Sequence, residues 1–320
     1  MESHTKSRIG FDLQAALVES SLGRDKGLLL KSKELTGGYF NSAYEVTLTG
    51  GSALILKISP MDGIATMSYE RDIMRAEVAA LRLMAETGTV PVPRVLAYDD
   101  SRRLLPADYF IMERIDGTPY NDLKESLTAK ERAAIEREAG RLNRAINEIG
   151  GEQFGLFGGQ GPTGSWREAF AWMIGLVLED ADRLGGSLPM PVEEVRRAIE
   201  ERLPLLDAVT EPRLVHWDLW DGNIFVKDGR IAALIDWERA LWGDPLMEYY
   251  FRYLENSPAF FEGYGSFCNS PDELRRRKLY DFYLDLIYYV ECFSRKYESR
   301  EHLEWAMDTI KNGWERFLQS

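Results

Sequence analysis

The segment from His216 to Asn223 limits what this chain can be more than any other part of the sequence. It reads His-Trp-Asp-Leu-Trp-Asp-Gly-Asn, so Asp218 precedes Asn223 by five residues, and Asp236 follows Asn223 by thirteen. Apolar residues lie on both sides of the segment, which is typical of a loop between two short buried strands. Such a loop can offer one proton acceptor, Asp218, and two hard oxygen ligands for Mg²⁺, Asn223 and Asp236. Phosphoryl transfer to a hydroxyl requires that combination, because charge spreads over the phosphate oxygens while the hydroxyl loses its proton.

The length and the charge of the chain indicate its general class. A chain of 320 residues is too long for one hydrophobic core, so we expect two lobes. The net charge is −13, of which −11 falls after residue 116. An acidic second half disfavours nucleic-acid binding and suits a cationic small molecule, although a plain solvated acidic surface is the alternative.

The sequence also indicates where the protein is expected to work. No apolar stretch has membrane-spanning length, and no apolar run follows the first residues as in a signal peptide. We therefore expect a cytoplasmic protein with no membrane partner. In a reducing cytosol, Cys268 and Cys292 are expected to be free thiols rather than a disulfide or part of a metal cluster.

The first third of the chain is rich in predicted strands, and the rest is rich in predicted helices. Strands are predicted at 28–35, 43–48, 52–59, 95–98 and 108–115, with one helix at 70–86. After residue 116, a capping box at Thr128-Ala-Lys-Glu131 begins a helix that ends at Gly150. Further helices are predicted at 165–184, at 191–206 and from residue 245 onward. We therefore predict an α+β protein with a small β-rich N-lobe at 1–115 and a larger, mostly helical C-lobe at 116–320.

Two charged residues are predicted on faces that are otherwise apolar. Glu77 lies on the apolar stripe of the predicted helix 70–86, and a carboxylate directed inward is costly unless it is paired. Lys57 shares a strand face with Ile55, so its side chain also points inward. We predict an ion pair between Lys57 and Glu77. The alternative is that Lys57 ends in solvent and Glu77 lies at the rim of the stripe.

Two glycine-rich segments differ in what they predict. The loop Gly37-Gly38-Tyr-Phe-Asn41-Ser42 lies between two predicted strands before Lys57, where its backbone N–H groups can meet phosphates. The segment Gly159-Gln-Gly161-Pro-Thr-Gly164 matches a dinucleotide-binding pattern, but no predicted strand precedes it and Pro162 interrupts it. We interpret the second segment as a connector to the next helix.

These residues together resemble the aminoglycoside phosphotransferase/choline kinase superfamily, small-molecule kinases that share the two-lobe fold of protein kinases. The resemblance covers about residues 35–250 and is most specific at 216–223 and at Asp236-Trp-Glu238 with the later Gly243-Asp-Pro245. It implies that Asp218 is the catalytic residue and that Asn223 and Asp236 bind Mg²⁺. It also implies nucleotide contacts by Lys57, Glu77, Gly38 and Asn41, and by the hinge residues Glu113 and Ile115.

The resemblance implies an activity but leaves the acceptor open. We expect an ATP- or GTP-dependent and Mg²⁺-dependent kinase for a hydroxyl of a small cationic molecule, such as an aminoglycoside-like antibiotic. Choline, a sugar, a macrolide or homoserine are alternative acceptors, and a nucleotide-binding pseudokinase is a further alternative. The predicted acceptor contacts are Glu238, Trp237, Asp244 and Trp242. Trp217 departs from the family pattern, since many members have Gly there, and Glu248 stands where Asp often follows the Gly-Asp-Pro turn.

Overall fold

Five antiparallel strands form the sheet of the N-lobe in the computed structural model, which describes residues 3–253, 257–265, 270–297 and 299–319. The strands are β1 (Leu29–Leu35), β2 (Ser42–Leu48), β3 (Ala53–Ile58), β4 (Val95–Asp99) and β5 (Tyr109–Glu113). Their spatial order is β1-β2-β3-β5-β4. All five predicted strands are confirmed, with ends within two residues of the prediction. Cys292 is a buried free thiol, whereas Cys268 lies outside the described residues.

Two helices cover opposite faces of this sheet. Alternate residues of β3, such as Leu54 and Leu56, pack against helix α1 (Phe11–Leu22), and Ile55 faces the side of helix α2 (Ile73–Thr87). Helix α1 was not predicted, because only a narrow part of its surface is apolar and buried. Helix α2 begins three residues later than predicted. A separate 3₁₀ turn, Ser68–Glu70, precedes it.

The C-lobe is built mainly of helices, as predicted. Its helices are α3 (Tyr120–Leu123), α4 (Ala129–Asn147), α5 (Trp166–Arg183), α6 (Val192–Glu200), α7 (Pro258–Tyr264), α8 (Pro271–Arg295) and α9 (Arg300–Leu318). The capping box at Thr128 is confirmed at the start of α4. Helix α6 ends at Glu200 rather than at 206, because Pro204 cannot continue an α-helix and a 3₁₀ helix, Leu203–Ala208, follows instead.

The region from residue 245 to α7 is not continuous helix either. It consists of the 3₁₀ turns Pro245–Met247 and Tyr249–Phe251 before α7 begins. Helices α5 and α8 form the centre of the C-lobe core, with Phe170 and Tyr283 in edge-on ring contact at 5.2 Å. Within the described residues, no helix has both the length and the apolar character that crossing a membrane would need.

Short strands in the C-lobe position the predicted catalytic segment. Strand β8 (Arg213–Val215) leads into it, and β9 (Ile224–Lys227) and β10 (Arg230–Leu234) form the hairpin that follows. The remaining short strands are β6 (Thr118–Pro119), β7 (Gly155–Leu156) and β11 (Leu241–Gly243). Asp228 and Gly229 both have positive φ, as a tight two-residue hairpin turn requires. The hairpin returns the chain so that the N–H of Ile235 donates to the carbonyl of Asn223 at 3.0 Å.

Candidate active site

The segment before Asp218 is held by hydrogen bonds inside the C-lobe. Glu248 is fully buried and accepts the backbone N–H groups of His216 and Trp217 at 2.9 and 3.0 Å. The N–H of Asp218 donates to Nδ1 of His216 at 3.3 Å, so the Nε2–H of His216 donates to the carbonyl of Ile235 at 3.1 Å. Burial lowers the pKa of His216 to about 4, which keeps this imidazole neutral at pH 7. The sequence does not reveal this role of Glu248, whose two hydrogen bonds stabilise the loop.

Two residues of the site have a left-handed backbone. Trp217 (φ 64°) directly precedes the predicted base, and Asp236 (φ 63°) is itself a predicted metal ligand. This conformation costs free energy for a residue other than glycine, and such residues concentrate at functional sites. In both places the surrounding hydrogen bonds hold the chain in the unusual conformation. The backbone conformation thus distinguishes Trp217 and Asp236 from the neighbouring residues of the site.

Asp218 and Asn223 are in direct contact. The Nδ2 of Asn223 donates to the backbone carbonyl of Asp218 at 2.8 Å and to its carboxylate at 3.3 Å. Burial raises the pKa of Asp218 to about 6, and among the neighbouring charges Arg239 opposes this rise most strongly. A raised pKa makes the carboxylate a better proton acceptor near neutral pH. The predicted proximity of the two side chains is confirmed.

Lys57 lies at the centre of three carboxylates. Its Nζ is 2.7 Å from Glu77, 2.7 Å from Asp236 and 3.5 Å from Glu238. The predicted ion pair with Glu77 is therefore confirmed, and the alternative of a solvent-exposed lysine is wrong. Burial alone would lower the pKa of Lys57, but the three carboxylates raise it well above its usual value. Asn41 joins the glycine-rich loop to this cluster, because its Nδ2 donates to Glu238 at 2.8 Å.

The oxygen atoms next to this cluster fit a divalent cation. Asn223 uses its Nδ2 for Asp218, and within the described part of the chain nothing donates a hydrogen bond to its Oδ1. Asp236 uses only Oδ1 for Lys57, which leaves Oδ2 available. Carboxylate oxygens of Glu77, Asp236 and Glu238 also lie within 4.8 Å of one another. Hard oxygen donors of this kind suit Mg²⁺.

One cavity of about 690 Å³ joins the predicted site residues. Its walls include both the N-lobe sheet and the C-lobe loops. Asp218, Asn223 and Asp236 all line it, together with every residue that the sequence analysis assigned to the nucleotide: Gly38, Asn41, Lys57, Glu77, Glu113 and Ile115. The cavity is also lined by apolar residues: Leu35, Ala43, Ile55, Met112, Phe225 and Ile235. The predicted site residues thus share one cleft between the lobes.

Beyond Asp218, the cavity has a second end that we call the acceptor end. It is lined by Arg239 and by residues of α8, α9 and the segment between them: Tyr288, Glu291, Arg295, Tyr297, His302 and Trp305. Three ring pairs make a continuous aromatic wall, with centroids 4.4 Å apart for Tyr297–His302, 5.3 Å for His302–Trp305 and 5.5 Å for Tyr288–Trp305. No local pattern in the sequence predicts this wall, because it depends on how α8 and α9 pack.

Three predicted acceptor contacts do not line the cavity. Trp237 is fully buried and donates to the carbonyl of Leu234. Trp242 stacks on Phe157 with ring centroids 5.3 Å apart. Asp244 is buried and accepts hydrogen bonds from Arg276 and Tyr280, at 3.0 and 2.8 Å. Trp237, Trp242 and Asp244 are therefore not placed to contact an acceptor in this cavity, because their side chains pack or hydrogen-bond within the C-lobe. Glu238, the fourth predicted contact, does line the cavity.

The connector segment before α5 contributes nothing to this cavity. Residues Gly159–Gly164 form an irregular loop, and Ser165 caps α5 by accepting the N–H of Glu168. Gly161 has a positive φ and lies against the ring of Trp172, so the glycine serves local packing. The interpretation of this segment as a connector is confirmed.

The two-lobe fold, with a lysine–glutamate pair in the same cleft as Asp218 and Asn223, is that of kinase-like phosphotransferases. The phosphotransferase enzyme family matches residues 31–276, most of the chain. The chain belongs to this family, and it is a small-molecule kinase. The fold class and the family resemblance that the sequence predicted are both confirmed.

Similar proteins are assigned to different substrates. A protein of Synechocystis sp. assigned as a ketoamine kinase is 25% identical over 262 residues, which are 78% of this chain and 81% of that protein. The hygromycin-B 4-O-kinase of Escherichia coli is 27% identical over 177 residues, 51% of this chain and 47% of that enzyme.

Solved structures share the fold along almost the whole chain. A structure from Thermobifida fusca assigned as a fructosamine-3-kinase has a TM-score of 0.65 and 22% identity, and covers 96% of this chain and 100% of its own. The aminoglycoside phosphotransferase APH(4)-Ia, a thermostable mutant in a ternary complex with AMP-PNP and hygromycin B, has a TM-score of 0.62 and 17% identity. It covers 96% of this chain and 99% of its own.

Proposed function

We propose that the protein transfers the γ-phosphate of ATP or GTP to a hydroxyl of a small molecule, with Asp218 as the base. The observation that supports this most directly is the meeting of Asp218, Asn223 and Asp236 in one cleft beside Lys57. All four groups that the reaction needs are present, which disfavours a pseudokinase.

Asp218 is positioned to accept the proton of the acceptor hydroxyl. Asp218 lines the cavity, and its carboxylate accepts a hydrogen bond from the amide of Asn223 at 3.3 Å. Burial raises its pKa, so the carboxylate takes up a proton more readily than an exposed aspartate does. In this proposal the hydroxyl loses its proton to Asp218 as its oxygen attacks the γ-phosphorus, and the bond to the β-phosphate oxygen breaks.

The nucleotide is proposed to occupy the hinge end of the cavity. Backbone groups of Glu113 and Ile115 would meet the base, and Gly38 and Asn41 would lie over the phosphates. Lys57, held by Glu77, would contact the phosphates directly. Mg²⁺ held by Asn223 and Asp236 would neutralise phosphate charge. We propose the division into an N-lobe at 1–115 and a C-lobe at 116–320 on the same grounds.

For the acceptor we favour a sugar-bearing molecule of the ketoamine type. A relative assigned as a ketoamine kinase matches over most of both chains, and an aromatic wall suits the apolar face of a sugar ring. A polycationic aminoglycoside is the second candidate, which the net charge of −11 after residue 116 favours. However, the carboxylate of Glu291 at the acceptor end is already shared by Arg239 and Arg295.

The test is acceptor-stimulated nucleotide consumption by wild type and Asp218→Asn. We expect ketoamines to stimulate ADP release from MgATP, and the Asp218→Asn variant to lose roughly 10²–10⁴-fold in kcat while it still folds and binds MgADP. Asp308→Asn is the matched control, since it makes the same chemical change on an exposed face of α9. Unchanged turnover in Asp218→Asn would remove Asp218 from the proposed role.

A further inference from the structure

Arg239 is a buried cation with few direct hydrogen bonds to the described residues. Its side chain is buried, with 8% of the residue exposed, and it lines the cavity next to Asp218. Across residues 3–253, 257–265, 270–297 and 299–319, its guanidinium makes one hydrogen bond, from Nη2 to Glu291, and that bond is long at 3.4 Å. Burying a guanidinium is costly unless it is paired and hydrogen-bonded. Its remaining donors therefore favour an anionic ligand.

The anion that Arg239 contacts is shared with another arginine. The Oε2 of Glu291 is 3.4 Å from Arg239 and 3.0 Å from Arg295, and Arg295 also pairs with the fully buried Glu70 at 2.9 Å. Glu291 is thus bound more closely by Arg295 than by Arg239. Asp218 is the other carboxylate nearby, but no ion pair joins it to Arg239. Positive charge at Arg239 consequently remains available to the cavity.

A rigid aromatic platform fixes the guanidinium in place. Its Cζ lies 6.0 Å from the ring centroid of Trp217, within the range of a cation–π contact. Trp217 is 2% exposed and stacks on Tyr283 with centroids 5.3 Å apart and planes 3° apart. Trp217 is the departure from the family pattern that the sequence showed beside the base. Its bulk does not block the base but supports Arg239.

We propose that Arg239 binds a carboxylate or another anionic group of the acceptor, so that the substrate is an acidic alcohol. This inference rests on the proposed function, because it assigns the acceptor of that same site. The anionic group would form hydrogen bonds with Arg239 while the reacting hydroxyl lies on Asp218. A ketoamine formed from an amino acid has both groups, a sugar hydroxyl and a carboxylate. Arg239 is then a specificity-determining residue.

The position of Arg239 favours the acceptor over the nucleotide phosphates. Lys57 supplies the cation on the nucleotide side, with Nζ 2.7 Å from Asp236. Arg239 instead points to α8, where its contact is Glu291. The phosphoryl group and the acceptor must approach Asp218 from these two different sides. The alternative is that Arg239 stabilises the phosphoryl group. The experiment distinguishes this role from binding of the acceptor.

The experiment compares acceptors that differ only in the carboxylate. Fructosyl-glycine and fructosyl-glycinamide, and gluconate and gluconamide, are titrated by calorimetry into the MgADP-bound protein and assayed for ADP release from MgATP. In the wild type we expect the acid of a pair to bind roughly 10- to 100-fold more tightly than the amide, as for a hydrogen bond to a charged group. Arg239→Gln should lower the affinity for the acid to that of the amide, and Arg239→Lys should restore part of it.

A matched variant separates a binding role from a structural one. Arg276 is also 8% exposed, but it is paired with Asp244 at 3.0 Å outside the cavity. Arg276→Gln should lower the thermal unfolding midpoint and leave the acid-to-amide ratio unchanged. Only Arg239→Gln should remove the acid-to-amide difference, so the two readouts together distinguish a loss of stability from a loss of binding.

Three results would overturn the proposal. The first is equal affinity of the wild type for acid and amide. The second is an equal loss of kcat for both acceptors in Arg239→Gln, which would place Arg239 on the phosphoryl group. The third is normal MgADP binding with no binding of any of the four probes. Failure of the proposed function itself would look different, because MgADP would then not bind or Asp218→Asn would keep full turnover.

Discussion

Replacing Lys57 with methionine tests the charge balance on which the site depends. Methionine keeps the length of the side chain but removes the cation between Glu77, Asp236 and Glu238. Of the two carboxylates at 2.7 Å, the Glu77 side chain is 1% exposed and cannot be solvated where it lies. Breaking a buried ion pair by removing one partner costs about 3–5 kcal/mol. We expect Lys57→Met to lose this much free energy of unfolding at pH 8, a large part of the total for a typical domain.

The loss should depend on pH with a definite sign. Burial already raises the pKa of Glu77 to about 7 and that of Glu238 to about 8 in the wild type. A carboxyl group with a raised folded-state pKa binds a proton that the unfolded chain has released, so its burial destabilises the fold as the pH rises. Without Lys57 the carboxylates repel one another more strongly and this decrease extends to higher pH. Burial alone would raise the pKa of Asp236, but Lys57 holds it below its usual value, so Lys57→Met should already be less stable than the wild type at pH 5. The difference should widen above pH 7, where Glu77 and Glu238 also ionise.

Magnesium should partly replace the missing charge. For a dissociation constant of about 1 mM, 10 mM Mg²⁺ stabilises the folded state by roughly 1.4 kcal/mol. We expect urea unfolding to show this gain in Lys57→Met and a smaller gain in the wild type, where Lys57 competes with the ion. Lys227→Met is the control, since Lys227 pairs with Asp116 at 2.6 Å but both side chains are at least half exposed. Equal stability of the two variants at pH 8, or no response to Mg²⁺, would refute the reasoning.

Two further predictions concern the C-lobe away from the cavity. Burial raises the pKa of Asp281 to about 7, despite Arg252 nearby, so stability should fall between about pH 4 and pH 7 as this group ionises in the fold. Asp281→Asn should flatten this decrease in urea titrations at several pH values, and an unchanged slope would contradict the assignment. In α4, a Cβ on Gly140 would overlap the carbonyl oxygen of Phe260, so Gly140→Ala should cost at least about 1–3 kcal/mol. Gly175 lies in α5 with open space around it, so Gly175→Ala should instead raise the free energy of unfolding by up to about 1 kcal/mol in the same assay. Similar effects of the two substitutions would contradict the close packing at Gly140.

The meeting of five predicted site residues in one cleft could be predicted from the sequence, because they are close along the chain or paired across regular elements. Asp218 and Asn223 are five residues apart in one loop, and a tight hairpin brings Asp236 back to them. Lys57 and Glu77 each interrupt an apolar face, so their burial required a partner of opposite charge. In these cases the periodicity of the strand or helix determines the face on which each side chain lies.

The acceptor end could not be predicted, because distance along the chain says little about distance in space there. Trp242 and Asp244 are within eight residues of Asp236, yet β11, which contains Trp242 and directly precedes Asp244, pairs with β8 and directs both away from the cavity. Glu291 lies more than fifty residues beyond Asp236 and nevertheless lines the cavity. The packing of α8 and α9 decides which side chains line this end of the cavity, and their sequences show only ordinary helices rich in aromatic residues.

Arg239 and Trp217 show how a departure from a family pattern gains meaning only in three dimensions. In the sequence, Trp217 is an unexplained bulky residue beside the base, and Arg239 is one charged residue among many. The left-handed conformations at Trp217 and at Asp236 turn both segments so that the indole and the guanidinium meet. Backbone torsions of this kind are not encoded by any periodic pattern, since they arise where buried hydrogen bonds, such as those that the backbone N–H groups of His216 and Trp217 donate to Glu248, outweigh the local preference. The features that distinguish this kinase from its relatives are therefore expected at strained positions of the site rather than in its regular elements.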